Sequence, residues 1–224
     1  MRARWYVFLL PVAITVFAAG EPGWKTRRIP DWSVQDAQQV LTDSPWVMSV
    51  APKQQGSLST GRNSDIDVSG LGVPVGRHGR HSGEDDGEPP ILPSTVRLRW
   101  ESALPVREAE LKTQDVTAPV VDEDHYAIAI YGVPRSIASA DSKGLPDRLK
   151  REAFLKRNGK RDLKPSRVEV LQREDGPVLI YLFPKSVEIT AEDRSVEFDA
   201  HIGPLAVAQT FSLADMVYQG KLEL

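Results

Sequence analysis

The chain has no cysteine. That excludes a disulfide framework and thiol chemistry, and with them cysteine proteases and thiol oxidoreductases. It also lacks a glycosylation acceptor, since Asn63 precedes Ser-Asp and Asn158 precedes Gly-Lys. Both absences lean towards a bacterial envelope rather than a eukaryotic secretory route. There is no His-Glu-x-x-His helix, no Gly-x-Ser-x-Gly elbow, no phosphate-binding glycine loop and no dinucleotide fingerprint. No cofactor and no metal are therefore expected. Beyond the first twenty residues no apolar run is longer than Val178–Phe183, far short of the ~20 residues a membrane-spanning helix needs.

What is present begins with an export signal. Arg2 and Arg4 precede the apolar stretch Trp5–Phe17, interrupted by Pro11, and Ala18-Ala19-Gly20 supplies small residues for cleavage before Glu21. Residues 1–20 are read as a signal peptide that enters the membrane transiently; a retained anchor is the alternative. The protein is expected to be periplasmic or secreted, in a bacterium. Removing the segment takes two arginines and no acids, which moves the net charge of -3 further negative and argues against nucleic acid as partner. Hydrophobic content of 41% over 224 residues is enough for a globular core.

The remainder divides into three parts. Residues 21–50 hold a short helix and a first strand. Ser33 caps the helix, Asp36 completes a capping box, and Trp32 precedes the cap. Val34, Ala37, Val40 and Leu41 share one face that must dock, and Pro45 ends the pattern. Residues 51–94 contain eight glycines, five prolines and six serines with no aromatic residue, and read as a flexible insertion. Its ends are held together cheaply if Trp46–Val50 pairs with Thr95–Trp100, because closure entropy grows only logarithmically with loop length.

Residues 95–224 form the α+β domain. Alternation predicts strands over Thr95–Trp100, His125–Val133, Arg167–Gln172 and Val196–Ile202, with a short edge strand over Val116–Val121. Helices are predicted over Ser102–Leu111, capped by Ser102, and over Pro146–Arg157, closed by Asn158-Gly159. Pro177–Pro184 does not alternate, so both of its faces should be covered, and Glu174-Asp175-Gly176 joins it to Arg167–Gln172 as a hairpin. Val187–Thr190 should pair with Val196–Ile202, Leu205–Phe211 adds an apolar run, and Met216–Leu224 reads as one closing strand. The expected fold is a single α+β domain with a mostly antiparallel sheet and two to three helices.

Candidate sites are few. Asp122-Glu123-Asp124-His125 places carboxylates beside an imidazole, as acid–base work or a metal would need, although a solvated turn uses the same residues. His78 and His81 lie in the insertion near Glu84, Asp85 and Asp86. Asn63, Asp65 and Asp67 begin like a calcium loop, but Val68 and Pro74 occupy the positions of its glycine and bidentate glutamate. Arg148–Lys164 carries eight basic side chains and suits either an anionic polymer or a solvated helix face. Trp24, Trp32 and Trp46 are the candidate binding residues: the first two flank the short helix, and tryptophan is common at recognition surfaces.

The segments Val40-Leu41-Thr42-Asp43-Ser44-Pro45-Trp46, Arg99-Trp100-Glu101-Ser102-Ala103-Leu104-Pro105 and Asp215–Leu224 resemble a family of exported bacterial proteins that are uncharacterised open reading frames. The resemblance implies export and a single domain, and it assigns no activity or site. The resulting expectation is a non-enzymatic cell-envelope protein that binds a protein partner or an anionic envelope polymer. The alternatives are an envelope hydrolase built on Asp122–His125 and a structural protein that assembles with itself through exposed edge strands.

Overall fold

A computed structural model describes residues 21–54, 93–139 and 143–224. The predicted signal peptide, most of the insertion with His78 and His81, and the Asn63 motif lie outside the described residues. Along the chain come α1 (Gly23–Thr26), α2 (Val34–Thr42), β1 (Val47–Val50), β2 (Lys53–Gln54), β3 (Val96–Trp100), α3 (Leu104–Thr113) and β4 (His125–Tyr131). Then follow α4 (Arg135–Ser139), α5 (Leu145–Arg151), β5 (Ala153–Arg157), β6 (Arg167–Leu171), β7 (Val178–Pro184), β8 (Ser195–Ile202), β9 (Leu205–Ser212), β10 (Val217–Tyr218) and β11 (Lys221–Leu222).

Every pairing between these strands is antiparallel. One sheet runs β1-β3-β4-β7-β6, a second runs β2-β9-β8-β5, and β10 and β11 form a small hairpin. The α+β expectation agrees with this, and three helices reach seven residues or more. The predicted pairing of the strands that flank residues 51–94 is present, with Val47 opposite Arg99 and Val50 opposite Val96.

The two sheets share one core. Tyr181 on β7 meets Phe198 on β8 edge-to-face at 5.1 Å, and Trp100 on β3 meets Phe211 on β9 at 5.3 Å. Period-two alternation supplies this face: Tyr126, Ile128 and Ile130 point in with Val196, Phe198 and Ala200. On the opposite face of the first sheet, Ala127, Ala129, Val178, Ile180 and Leu182 form a second buried cluster, against which Val121 packs. Val178–Pro184 is thus covered on both faces, as its unbroken apolar run requires, but β4 rather than β7 is the middle strand.

The N-terminal segment belongs to this core. Ser33 and Asp36 make the capping box: the Asp36 amide donates to Ser33 Oγ at 3.1 Å and the Ser33 amide to Asp36 Oδ2 at 2.8 Å. The Ser33 amide, then the Ser33 hydroxyl, which also donates to Asp36 Oδ2 at 2.8 Å, together with Arg27 hold the Asp36 carboxyl below its usual range despite some burial. Ala37, Val40 and Leu41 are buried, and α2 packs on α3.

Several local expectations gave way to tertiary pairing. Pro146–Arg157 is not one helix: α5 stops at Arg151 and β5 pairs with β8 from Ala153 to Arg157. Ala-Phe-Leu-Lys-Arg suits either structure locally, and the ladder decides. Gly159, at a φ of 69°, turns the chain back so that Leu163 bridges Leu155 instead of closing a helix. Ser102 does not cap α3; its hydroxyl accepts the Ala127 amide at 3.0 Å, and Ala103 takes the cap position. Val187–Thr190 is not a strand, because β8 pairs with β9 and β5. Met216–Leu224 is broken into β10 and β11 by Gln219 and Gly220, both at positive φ, which makes a tight hairpin. Val116–Val121 is not a strand either: it carries no ladder and crosses the outer face of the first sheet as a loop.

Candidate functional site

The outer face of the first sheet is where charge has been buried. Register places Arg97 opposite Tyr131 and Arg99 opposite Ala129, so both arginines and the tyrosine share that face. The small side chains of Ala127 and Ala129 leave room there for a guanidinium to lie flat. Glu101 follows β3, and Glu110 comes from the buried side of α3 beside Val106 and Ala109.

These groups form a closed network. Arg99 Nε donates to Glu101 Oε1 at 2.7 Å, and its Nη2 donates to Glu110 Oε1 at 2.5 Å and to the Tyr131 hydroxyl at 2.6 Å. The Tyr131 hydroxyl in turn donates to Glu101 Oε1 at 2.6 Å. Arg99, Glu101 and Glu110 are all buried. One cation therefore faces two acids away from water. Burial, then the charge of Glu101, pushes the Glu110 carboxyl up to about 9 against the opposing pull of Arg99. Glu110 thus holds its proton at neutral pH, and Arg99 balances Glu101. Burial would lower the Arg99 guanidinium, but Glu101, through its charge and its hydrogen bond, leads the effects that outweigh burial and raise it. Burial and Glu101 together raise Tyr131, which stays a phenol. The second oxygen of Glu101 is buried and receives no hydrogen bond from a described residue.

Two openings flank this network. One is a groove of about 410 Å³ in which Leu111, Val116, Val120 and Val121 meet Glu110 and Arg107. The other is a cleft of about 440 Å³ in which Arg97, Arg99, Tyr131, Arg173 and Asp175 meet the end of α2. Asp115 lines both. Burial would raise the Asp115 carboxyl, but the Thr117 hydroxyl and amide, with Arg99 and Arg173, bring it below its usual range.

The residues singled out in the sequence lie elsewhere. Trp24, Trp32 and Trp46 are inside the protein, each 2% exposed or less, so their rings are enclosed by packing. Trp24 stacks edge-to-face on Trp46 at 5.4 Å, Trp32 does so on Tyr218 at 5.6 Å, and Trp46 Nε1 donates to the Glu223 carbonyl at 2.8 Å. Asp122–His125 is an exposed turn entering β4. Asp122 Oδ1 takes the Asp124 amide at 3.1 Å and lies 2.6 Å from His125 Nδ1, and the histidine bond leads the effects that lower its carboxyl. No cluster of metal-binding side chains occurs among the described residues. The basic stretch Arg148–Lys164 is split between α5, β5 and a turn. Within it Lys156 is paired with Glu197 and Asp199, and Lys160 with Asp193.

Arg99, Glu101, Glu110 and Tyr131 were not picked out from the sequence. A signal was available: Glu110 falls at helical spacing from Ala103 and Val106, a carboxyl on a face that has to be buried. No family model, no curated protein and no solved structure matches this chain.

Proposed function

We propose that this is an exported cell-envelope protein that acts by binding a protein partner, and that the groove between α3 and the 114–121 crossing is the contact surface. Export rests on the basic, apolar and small-residue order of residues 1–20. The observation that carries the binding surface is the exposure of Leu111, Val116 and Val120, at 73%, 96% and 95%, around one groove. Aliphatic side chains gathered so openly cost solvation unless something covers them. Arg107 and Asp115 bring both signs to the same groove. An apolar centre with a mixed-sign rim matches a protein surface better than a uniformly anionic polymer or lipid headgroup layer.

The test places a photo-crosslinking residue at Val116 or Val120, with the exposed Val187 as control, in the native envelope. The reading expects one adduct from the first two positions and none from the control. The purified partner should then bind the chain at least about tenfold more weakly after Val120→Asp, with Val187→Asp unchanged. Equal adducts at all three positions, or a partner indifferent to Val120→Asp, would sink it. A concentration-dependent dimer lost in Val120→Asp would make the partner a second copy.

A further inference from the structure

The cleft on the other side of the network presents two opposite charges with which no described residue pairs. Arg97 and Asp175, from β3 and from the turn between β6 and β7, both line it and are both exposed. Neither makes a hydrogen bond or ion pair to a described residue; Arg97 only leans over the Tyr131 ring, 5.8 Å from its centre. Two further guanidinium groups approach the same ring, Arg99 at 4.8 Å and Arg173 at 5.7 Å. Arginine does not lose its proton at any physiological pH, so this convergence persists as positive charge. Arg99 is balanced by Glu101, and Arg173 spends its Nη atoms on the Thr117 hydroxyl and carbonyl. Among the described residues no oxygen accepts from the Arg97 fork.

The rest of the lining is not uniformly positive. Asp175 is joined by Asp115 and by the C-terminal ends of α2 and α3, whose last carbonyls favour cations. A simple anion would answer the arginines and be opposed by everything else. A group carrying both charges answers both.

We propose that this cleft binds a zwitterionic ligand of the short-peptide class, with its carboxylate on the Arg97 fork and its ammonium on Asp175. The 440 Å³ volume falls within the usual range for small-molecule sites. This site shares only Asp115 with the apolar groove and does not depend on the partner surface proposed there.

The test uses triglycine, N-acetyl-triglycine and triglycine amide as probes of the purified protein, followed by calorimetry and amide chemical shifts. Triglycine should bind, with shifts centred on residues 97, 131 and 173–175. Blocking either terminus should weaken binding about tenfold, the usual consequence of losing one charge-assisted contact. Arg97→Gln should abolish the preference for triglycine over its amide, and Asp175→Asn the preference over the acetylated peptide. Both residues are exposed, so melting temperatures should match the parent and separate lost binding from lost folding. Absence of binding by any probe up to millimolar concentration would overturn the proposal. So would acetylated peptide binding as well as triglycine, or an equal loss in Lys150→Gln, which does not line the cleft.

Discussion

Arg99 and Glu110 meet at 2.5 Å, guanidinium Nη2 against carboxyl Oε1, with both side chains buried. The contact ties β3 to the helix that begins four residues after it ends. Because Glu101 already balances Arg99, Glu110 can share the site only as a neutral acid, and that makes stability depend on pH. The folded-state value of about 9 lies above the ordinary carboxylate value, so between the two the folded chain keeps a proton that the unfolded chain has lost. Stability should therefore be greatest at acid pH as far as this group is concerned. It should fall as pH rises from the ordinary carboxylate range through neutrality and level off above about pH 9. Glu110→Gln removes the titration, and urea melts of the variant should lack that decline.

Trp32 closes the N-terminal segment over the C-terminal hairpin. Its ring packs on Tyr218, and both its indole nitrogen and the Tyr218 hydroxyl donate to the Arg27 carbonyl, at 3.3 and 3.0 Å. Trp32→Ala should cost about 3–5 kcal/mol, as for other buried large-to-alanine changes. Chemical denaturation checks this, and a loss below ~1 kcal/mol would mean that the segment is dispensable to the fold.

Ile180 sits in the buried cluster on the outer face, opposite Ala129 and Glu169. Ile180→Asp would put a carboxylate into a buried apolar cluster, across from the like-charged Glu169, at a cost of roughly 4 kcal/mol or more. The variant should fail to give a cooperative thermal transition; a normal melt would remove β7 from the core.

Val116 and Val120 are so exposed that the fold gains little from them. Val116→Ser and Val120→Ser should each change stability by less than about 0.5 kcal/mol. A larger loss would show that these valines are packed, and would undercut the partner surface.

Much of the fold was legible because local pattern and tertiary need agreed. The capping box at Ser33 and Asp36, the unbroken run of β7 and the alternation of β3, β4 and β8 each carry one dominant signal. Where two readings were locally equal the sequence alone misled. Ala153–Arg157 and Met216–Leu224 were settled by the strand beside them and by a turn at positive φ.

The sequence alone is enough for the α+β class, for the return of β1 to β3 across residues 51–94, and for the burial of β7 on both faces. These follow from periodicity, which is a property of consecutive residues. Only the tertiary structure decided that Trp24, Trp32 and Trp46 face inward, and that Arg99, Glu101, Glu110 and Tyr131 meet beneath two openings. Such groups come from separate elements, and their charge states depend on how much water remains between them. No spacing along the chain encodes that distance.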